Sequence, residues 1–385
     1  MYERVLTARL AGGARSVLLL GPRQVGKSTL LAGLHPDWTI NVADPATFRD
    51  YLTEPQRFGR ELESAKRATR LILVDEIQRA PSMLDTIQVA IDRDARRFRF
   101  LLSGSSARKL RRGQANLLPG RVDVHYMHPL LAHELGSEFD LERALAHGML
   151  PGIWAEPDVA QRALTLRSYS DAYLREEVQS EALVRNLGGY ARLLDLVAAS
   201  SGRILNLRSL CGDAGIGYET ARRYFEVLED TLVAFRVSAW SGTARGSLIA
   251  HPKIYLFDVG VRNALLRRPL DRPLADERGL LFEHFVAGEL HGRTGTLWPE
   301  MSLHHYRSRG GAEVDFVLSF AREQWGIEVK ASRRVDRADL SGLRSFGETL
   351  PRVKRKIVVF LGPRAQRIDD VEVLPLEEFL AELPH

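Results

Sequence analysis

The stretch Ser16-Val-Leu-Leu-Leu-Gly-Pro-Arg-Gln-Val-Gly-Lys-Ser-Thr29 decides how this chain is read. Its opening apolar run has the character of a buried strand, and Ser28-Thr-Leu-Leu-Ala32 continues as a helix. Between them stands Gly21-x4-Gly26-Lys27-Ser28, the Walker A spacing. Gly21 and Gly26 permit a tight loop whose backbone N–H groups turn inward around phosphate oxygens. Lys27 brings a mobile positive charge to the β- and γ-phosphates, and the Ser28 hydroxyl is a ligand for Mg2+. The helix that starts near Lys27 aims its positive dipole end at the same phosphates. Gly21, Pro22, Arg23, Gln24, Val25, Gly26, Lys27, Ser28 and Thr29 thus form a candidate ATP cradle. The alternative is an ordinary glycine-bearing turn, which the flanking strand and helix disfavour.

A second apolar strand, Leu71-Ile-Leu-Val-Asp75-Glu76, ends in two carboxylates. Downstream of a Walker A loop this reads as a Walker B. Asp75 is placed to hold Mg2+ through water, and Glu76 to orient and deprotonate the attacking water. A third strand, Phe98-Arg-Phe-Leu-Leu-Ser103-Gly-Ser-Ser106, ends in hydroxyls, of which Ser105 is the candidate γ-phosphate sensor. A Ser/Gly turn that merely leaves a strand remains open there. Beyond it lie the basic segment Ala107-Arg-Lys-Leu-Arg-Arg112 and the turn Leu117-Leu-Pro-Gly-Arg121. Arg121 either completes a neighbouring subunit's ATP site or is a solvated surface arginine.

With 385 residues and 45% apolar composition, the chain has the length for two or three globular domains. The start, Met1-Tyr-Glu-Arg-Val5, lacks an apolar leader, and no apolar run reaches the roughly eighteen residues of a membrane span. A lone cysteine, Cys211, forms no internal disulfide, so a cytoplasmic location without membrane contact is expected. The net charge of +5 permits a nucleic-acid partner and does not prove one.

Alternating strands and helices over 1–160 predict an α/β domain with a parallel sheet. Helical sequence runs from Ala160 to Leu196. Leu207–Ala214, a Gly-Ile-Gly turn at 215–217, and Tyr218–Leu228 then suggest a helix-turn-helix. Tyr218, Ala221, Phe225 and Leu228 are expected to face the core, with Arg222 and Arg223 outward. Strands at Leu232–Trp240 and Lys253–Asp258 around the loop 241–246 complete a winged-helix outline over 161–268. Such modules either bind DNA or serve in oligomerisation.

Residues 269–385 hold a second constellation. A helix carrying Glu283 precedes the strand Glu313-Val-Asp315-Phe-Val-Leu318 and the strand Trp325-Gly-Ile-Glu328-Val-Lys330. Twelve residues separate Asp315 from Glu328. Alternation puts Glu328 and Lys330 on one face, and a hairpin brings Asp315 close. Converging carboxylates repel unless a cation sits between them, so Mg2+ or Mn2+ held by Glu283, Asp315 and Glu328 is the natural third party. Lys330 would then stabilise a phosphoryl transition state or position water. A surface ion-pair cluster on an amphipathic strand pair is the alternative.

Taken together, these motifs resemble the bacterial and archaeal AAA-type ATPases that carry a C-terminal domain of unknown function 4143. The matching residues are Gly21–Ser28, Val74-Asp-Glu-Ile-Gln-Arg-Ala-Pro81, Ser103-Gly-Ser-Ser-Ala-Arg-Lys-Leu110, Tyr173-Leu-Arg-Glu-Glu-Val178, Lys253-Ile-Tyr-Leu-Phe-Asp-Val-Gly260 and Gly311-Ala-Glu-Val-Asp-Phe316. The resemblance implies an α/β chain with an AAA-like P-loop domain, a winged-helix segment and a restriction-endonuclease-like C-terminal domain of the PD-(D/E)xK type. Its C-terminal motif is also similar to that of archaeal Holliday-junction resolvases, which use a helix glutamate, Asp-x12-Glu-x-Lys and Mg2+. The resemblance brings Arg121 forward as an arginine finger, and because the ATP site has no evident arginine of its own, a ring-shaped homo-oligomer in which a neighbour donates Arg121 is expected. The expected function is ATP hydrolysis coupled to metal-dependent DNA processing, with branched DNA a candidate substrate. The alternatives are a nuclease-inactive ATPase that binds DNA, or one that remodels a protein partner.

Overall fold

The computed structural model describes residues 2–105, 118–173, 186–240, 251–298, 300–320, 323–349 and 353–383. Residues 107–112, 174–178 and 241–246, singled out above, lie outside these. The chain divides into two compact units, 1–128 with 228–233, and 129–227 with 234–385.

The first unit is built on β1 (Ser16–Leu20), β2 (Trp38–Asn41), β3 (Leu71–Asp75), β4 (Arg99–Gly104) and β5 (Val122–Tyr126). They form a wholly parallel sheet in the order β2-β3-β4-β1-β5. β1 is buried throughout and β4 in all but its first residue, which is why both read as continuous apolar runs. Leu18, Leu20, Ile72, Val74, Phe100 and Leu102 from the strands pack with Phe58, Leu62, Leu84 and Ile87 from the helices Arg57–Ser64 and Met83–Arg93. Parallel neighbours require crossover connections, so all five strands point their C-terminal ends the same way.

In the second unit, β6 (Arg203–Ile204), β7 (Ala234–Ala239), β8 (Lys253–Leu256), β9 (Met301–Arg307), β10 (Glu313–Phe320), β11 (Glu323–Lys330), β12 (Val353–Phe360), β13 (Gln366–Ile368) and β14 (Val371–Pro375) join one sheet. Its order is β13-β14-β12-β11-β10-β9-β7-β8-β6. Strands from either side of residue 268 belong to this one sheet. The join is a short parallel pairing, Ser238 with His304 and Ala239 with His305, extended by Trp240 N donating to His305 O at 2.7 Å. The first unit closes at His128, and residues 129–160 belong to the second.

The helix pair Leu207–Ala214 and Tyr218–Asp230 forms as expected, with Gly215 at φ +64° ending the first helix. Ala221, Phe225 and Leu228 are buried. Tyr218 is not, at 45% exposure, because it opens its helix and lies beyond the packed stripe. In β10 the register against β9 slips between Val314 and Val317, a bulge that contains Asp315.

Candidate functional site

The sheet order places β4 between β3 and β1, so the ends of these three strands lie side by side, where parallel sheets bind ligands. The loop after β1 cannot carry a side chain at residue 21: a Cβ on Gly21 would stand 2.3 Å from the Met127 carbonyl oxygen. Gly26 sits at φ +97°, open to glycine and costly for other residues. Arg4, outside the motif, braces the loop by donating to Val25 O at 2.7 Å. The buried Lys27 turns its Nζ back onto the carbonyls of Gly21 and Pro22, each at 2.8 Å. Ser28 Oγ donates to Asp75 Oδ1 at 2.9 Å, which unites the Walker A hydroxyl with the Walker B carboxylate. Arg23 is half-buried, while Gln24 (φ +60°) and Thr29 are exposed.

Two further residues complete this arrangement. Ser103 Oγ donates to Asp75 Oδ1 and accepts from Glu76 N at 3.0 Å, so the hydroxyl at the end of β4 touches both Walker B residues. Glu76 adopts the left-handed region at φ +59°, uncommon for a residue with a side chain. Its carboxylate accepts from Gln78 Nε2, and the same nitrogen donates to Ser105 Oγ at 3.0 Å. A carboxylate only accepts, so the amide nitrogen of Gln78 must face Glu76. Ser105 thus reaches Glu76 through Gln78, a residue that stood in the family-matching stretch Val74–Pro81 without a role. Arg121 is gripped by Asp92, with Nε to Oδ1 at 2.6 Å and Nη2 to Oδ2 at 2.9 Å.

The second constellation assembles around a residue to which the sequence reading gave no role. Lys253, the first residue of β8, is 3% exposed at its side chain. Its Nζ lies 3.0 Å from Glu283 Oε1, 3.2 Å from Glu313 Oε1 and 3.1 Å from Asp315 Oδ1. Alternation explains part of this: Glu313 and Asp315 share one face of β10, and Lys253 and Tyr255 one face of β8. Tyr255 OH donates to Glu283 Oε1 at 2.6 Å, and Val329 N donates to Asp315 Oδ2 at 2.9 Å. Glu328 instead pairs with Lys330 at 2.9 Å.

Burial, and then the Asp315 charge, push the Glu283 carboxyl up to about 7 and that of Glu328 up to about 8. Burial works against the charge of Lys253, but Asp315, Glu283 and Glu313 overcome it and leave the ammonium more strongly protonated than usual. The expected Mg2+ or Mn2+ among Glu283, Asp315 and Glu328 finds no support in this arrangement, where the cation lying among Glu283, Glu313 and Asp315 is Lys253. Among the described residues no group of three or more His, Cys, Asp or Glu side chains is arranged to hold a metal. The residues present do not fit that ion.

Residues 14–136 match the family model described as AAA domain. Residues 278–379 match a domain of unknown function, 4143, and 138–272 another, 8612. The chain is 26% identical over 374 residues to an uncharacterized protein of Mycobacterium tuberculosis, covering 94% of this chain and 80% of that one, and equally so to one of Mycobacterium bovis. Solved structures resemble it only distantly. PCH-2 of C. elegans is 15% identical over 57% of this chain and 65% of its own, at a TM-score of 0.28. AMPPCP-bound DnaA from Aquifex aeolicus is 12% identical over 58% of this chain and 84% of its own, at a TM-score of 0.26. Likeness at that level carries no functional weight. No helix among the described residues is long and apolar enough to cross a membrane.

Proposed function

We propose that the first unit binds and hydrolyses ATP, and that the second unit engages DNA. The observation that carries hydrolysis is the chain of contacts Ser28–Asp75–Ser103–Glu76, which gathers the Walker A hydroxyl, the Walker B pair and the β4 hydroxyl in one place. Ser28 and Asp75 have the oxygen donors that Mg2+ prefers and would hold it together with the nucleotide. When bound, Mg2+ neutralises charge on the β- and γ-phosphates. Lys27, parked on two neutral carbonyls, exchanges them for phosphate oxygens. Glu76 takes the proton of the attacking water, and Gln78 fixes where that carboxylate points.

The Asp92–Arg121 pair is solvent-accessible, so a neighbouring copy in a homo-oligomeric ring can draw Arg121 away at little cost. The helix pair with β6, β7 and β8 supports DNA contact through a winged-helix outline. Arg222 is paired with Glu219 and Glu226, which leaves Arg223 and Arg208, both exposed, as the better phosphate contacts. Metal-dependent cleavage is not part of this reading. Phosphate release from ATP and Mg2+ tests hydrolysis: the purified chain turns over and Lys27→Ala does not. Equal release by both would refute it. Duplex DNA titrated at rising salt tests the second claim, which fails if no salt-dependent binding is seen.

A further inference from the structure

We propose that Lys253 is the resident cation of the carboxylate cluster: its ammonium fills the place that a divalent ion would need, and the cluster works as an internal lock rather than a metal centre. The lock ties β8 to β10 and to the helix Arg278–Thr296 within the second unit.

Three observations carry this. The first is donor arithmetic. A lysine ammonium has three N–H groups, and here three carboxylate oxygens from two elements stand within 3.0–3.2 Å of it, one for each donor. The second is space. Mg2+ bonds oxygen at about 2.0–2.1 Å and resists distortion of its octahedron. An ion bonded to Asp315 Oδ1 and Glu283 Oε1 would share both oxygens with an ammonium about 3 Å from each, against the repulsion of two like charges. The third is anchoring. Lys253 is no surface lysine that has wandered in. Its backbone is paired on both sides, with Ile204 of β6 and with Val237 of β7. The oxygens it meets are oriented by others, Asp315 by Val329 N and Glu283 by the Tyr255 hydroxyl.

Charge is still in excess on the acidic side, since one ammonium faces three carboxylates, and the Glu283 carboxyl is lifted by burial first and then by the Asp315 charge. The consequence is asymmetric. With Lys253 present, the cluster is closed to divalent ions. Without it, three carboxylates are left facing one another, and their repulsion is relieved by taking up a proton or a cation from solution.

The test is a Mn2+ titration of the full chain without nucleotide, followed by the electron paramagnetic resonance of free Mn2+, for wild type, Asp315→Asn, Lys253→Met and the Lys253→Met/Asp315→Asn pair. Wild type and Asp315→Asn are expected to bind Mn2+ alike. Lys253→Met is expected to gain a site at least about ten-fold tighter than any in wild type, through loss of the like charge, and the paired variant to lose it again. A wild-type site that Asp315→Asn abolishes overturns the proposal, as does a folded Lys253→Met that gains nothing. Should Lys253→Met not fold, the comparison of wild type with Asp315→Asn decides alone. ATP hydrolysis does not enter this test, so the proposal stands or falls apart from it.

Discussion

Among the described residues two lysines are buried, Lys27 and Lys253, and their partners set them apart. Lys27 of the first unit points at backbone carbonyls, which are neutral and easily given up. Lys253 of the second unit points at three carboxylates, which an incoming group would have to outbid. A cation resting on dipoles is poised for an anionic ligand, whereas one held by full opposite charges is already committed. The same residue type, equally hidden from solvent, marks a binding site in one unit and a structural lock in the other.

The sharpest way to break this comparison is to remove each lysine in turn. Lys27→Ala should weaken nucleotide binding by at least about 100-fold, because it removes a phosphate contact in a buried cradle, while denaturant unfolding shifts little. Lys253→Met should do the reverse, costing roughly 3–5 kcal/mol of stability by leaving buried carboxylates unpaired, with nucleotide affinity unchanged. Fluorescent-nucleotide titration and urea melts read both arms, and matching profiles for the two variants would erase the distinction.

Acidity sharpens the same contrast. Glu283 and Glu328, at about 7 and about 8, bind protons more tightly folded than unfolded. The stability they lend is therefore complete below the ordinary carboxyl range near 4.5 and is lost as pH climbs through about 7 and 8. Urea midpoints followed from pH 5 to pH 8.5 should fall for wild type, and fall less for Glu283→Gln with Glu328→Gln. A midpoint that rises over this window contradicts the assigned burial.

Within the first unit, Gln78→Ala should lower kcat about ten-fold while leaving KM nearly unchanged, the loss of one charge-assisted hydrogen bond to Glu76. A change confined to KM would show that Gln78 acts on binding instead. The smallest effect expected is that of Asp92→Ala. It frees Arg121 from an exposed pair worth about 1 kcal/mol or less, and sedimentation should show assembly with ATP no weaker than in wild type.

Much of the first unit was legible because its signals are local. The Walker loop, the strand ending in Asp75-Glu76 and the hydroxyl-ended β4 each announce themselves within a few residues. Ser103 and Gln78 were harder to assign, since their roles depend on β4 lying between β3 and β1, a fact of sheet order. In the second unit, alternation predicted that Glu328 and Lys330 share a face, and they do pair. What spacing did not reveal is Lys253, remote in sequence from the carboxylates it joins and brought to them by the pairing of β7 with β9. Its one local signal was a charged residue opening an otherwise apolar strand, Lys253-Ile-Tyr-Leu256, in a stretch already noted as part of a family pattern. Electrostatics required a cation among the acids, and only the fold disclosed which one.

The most direct test of the account is a single-turnover measurement with ATP and Mg2+ on wild type and Glu76→Gln. The account predicts that both bind ATP with similar affinity, and that wild type releases phosphate while Glu76→Gln holds its ATP intact at least about 100-fold longer, having lost its base with the cradle preserved. Equal rates of phosphate release from the two proteins would contradict it.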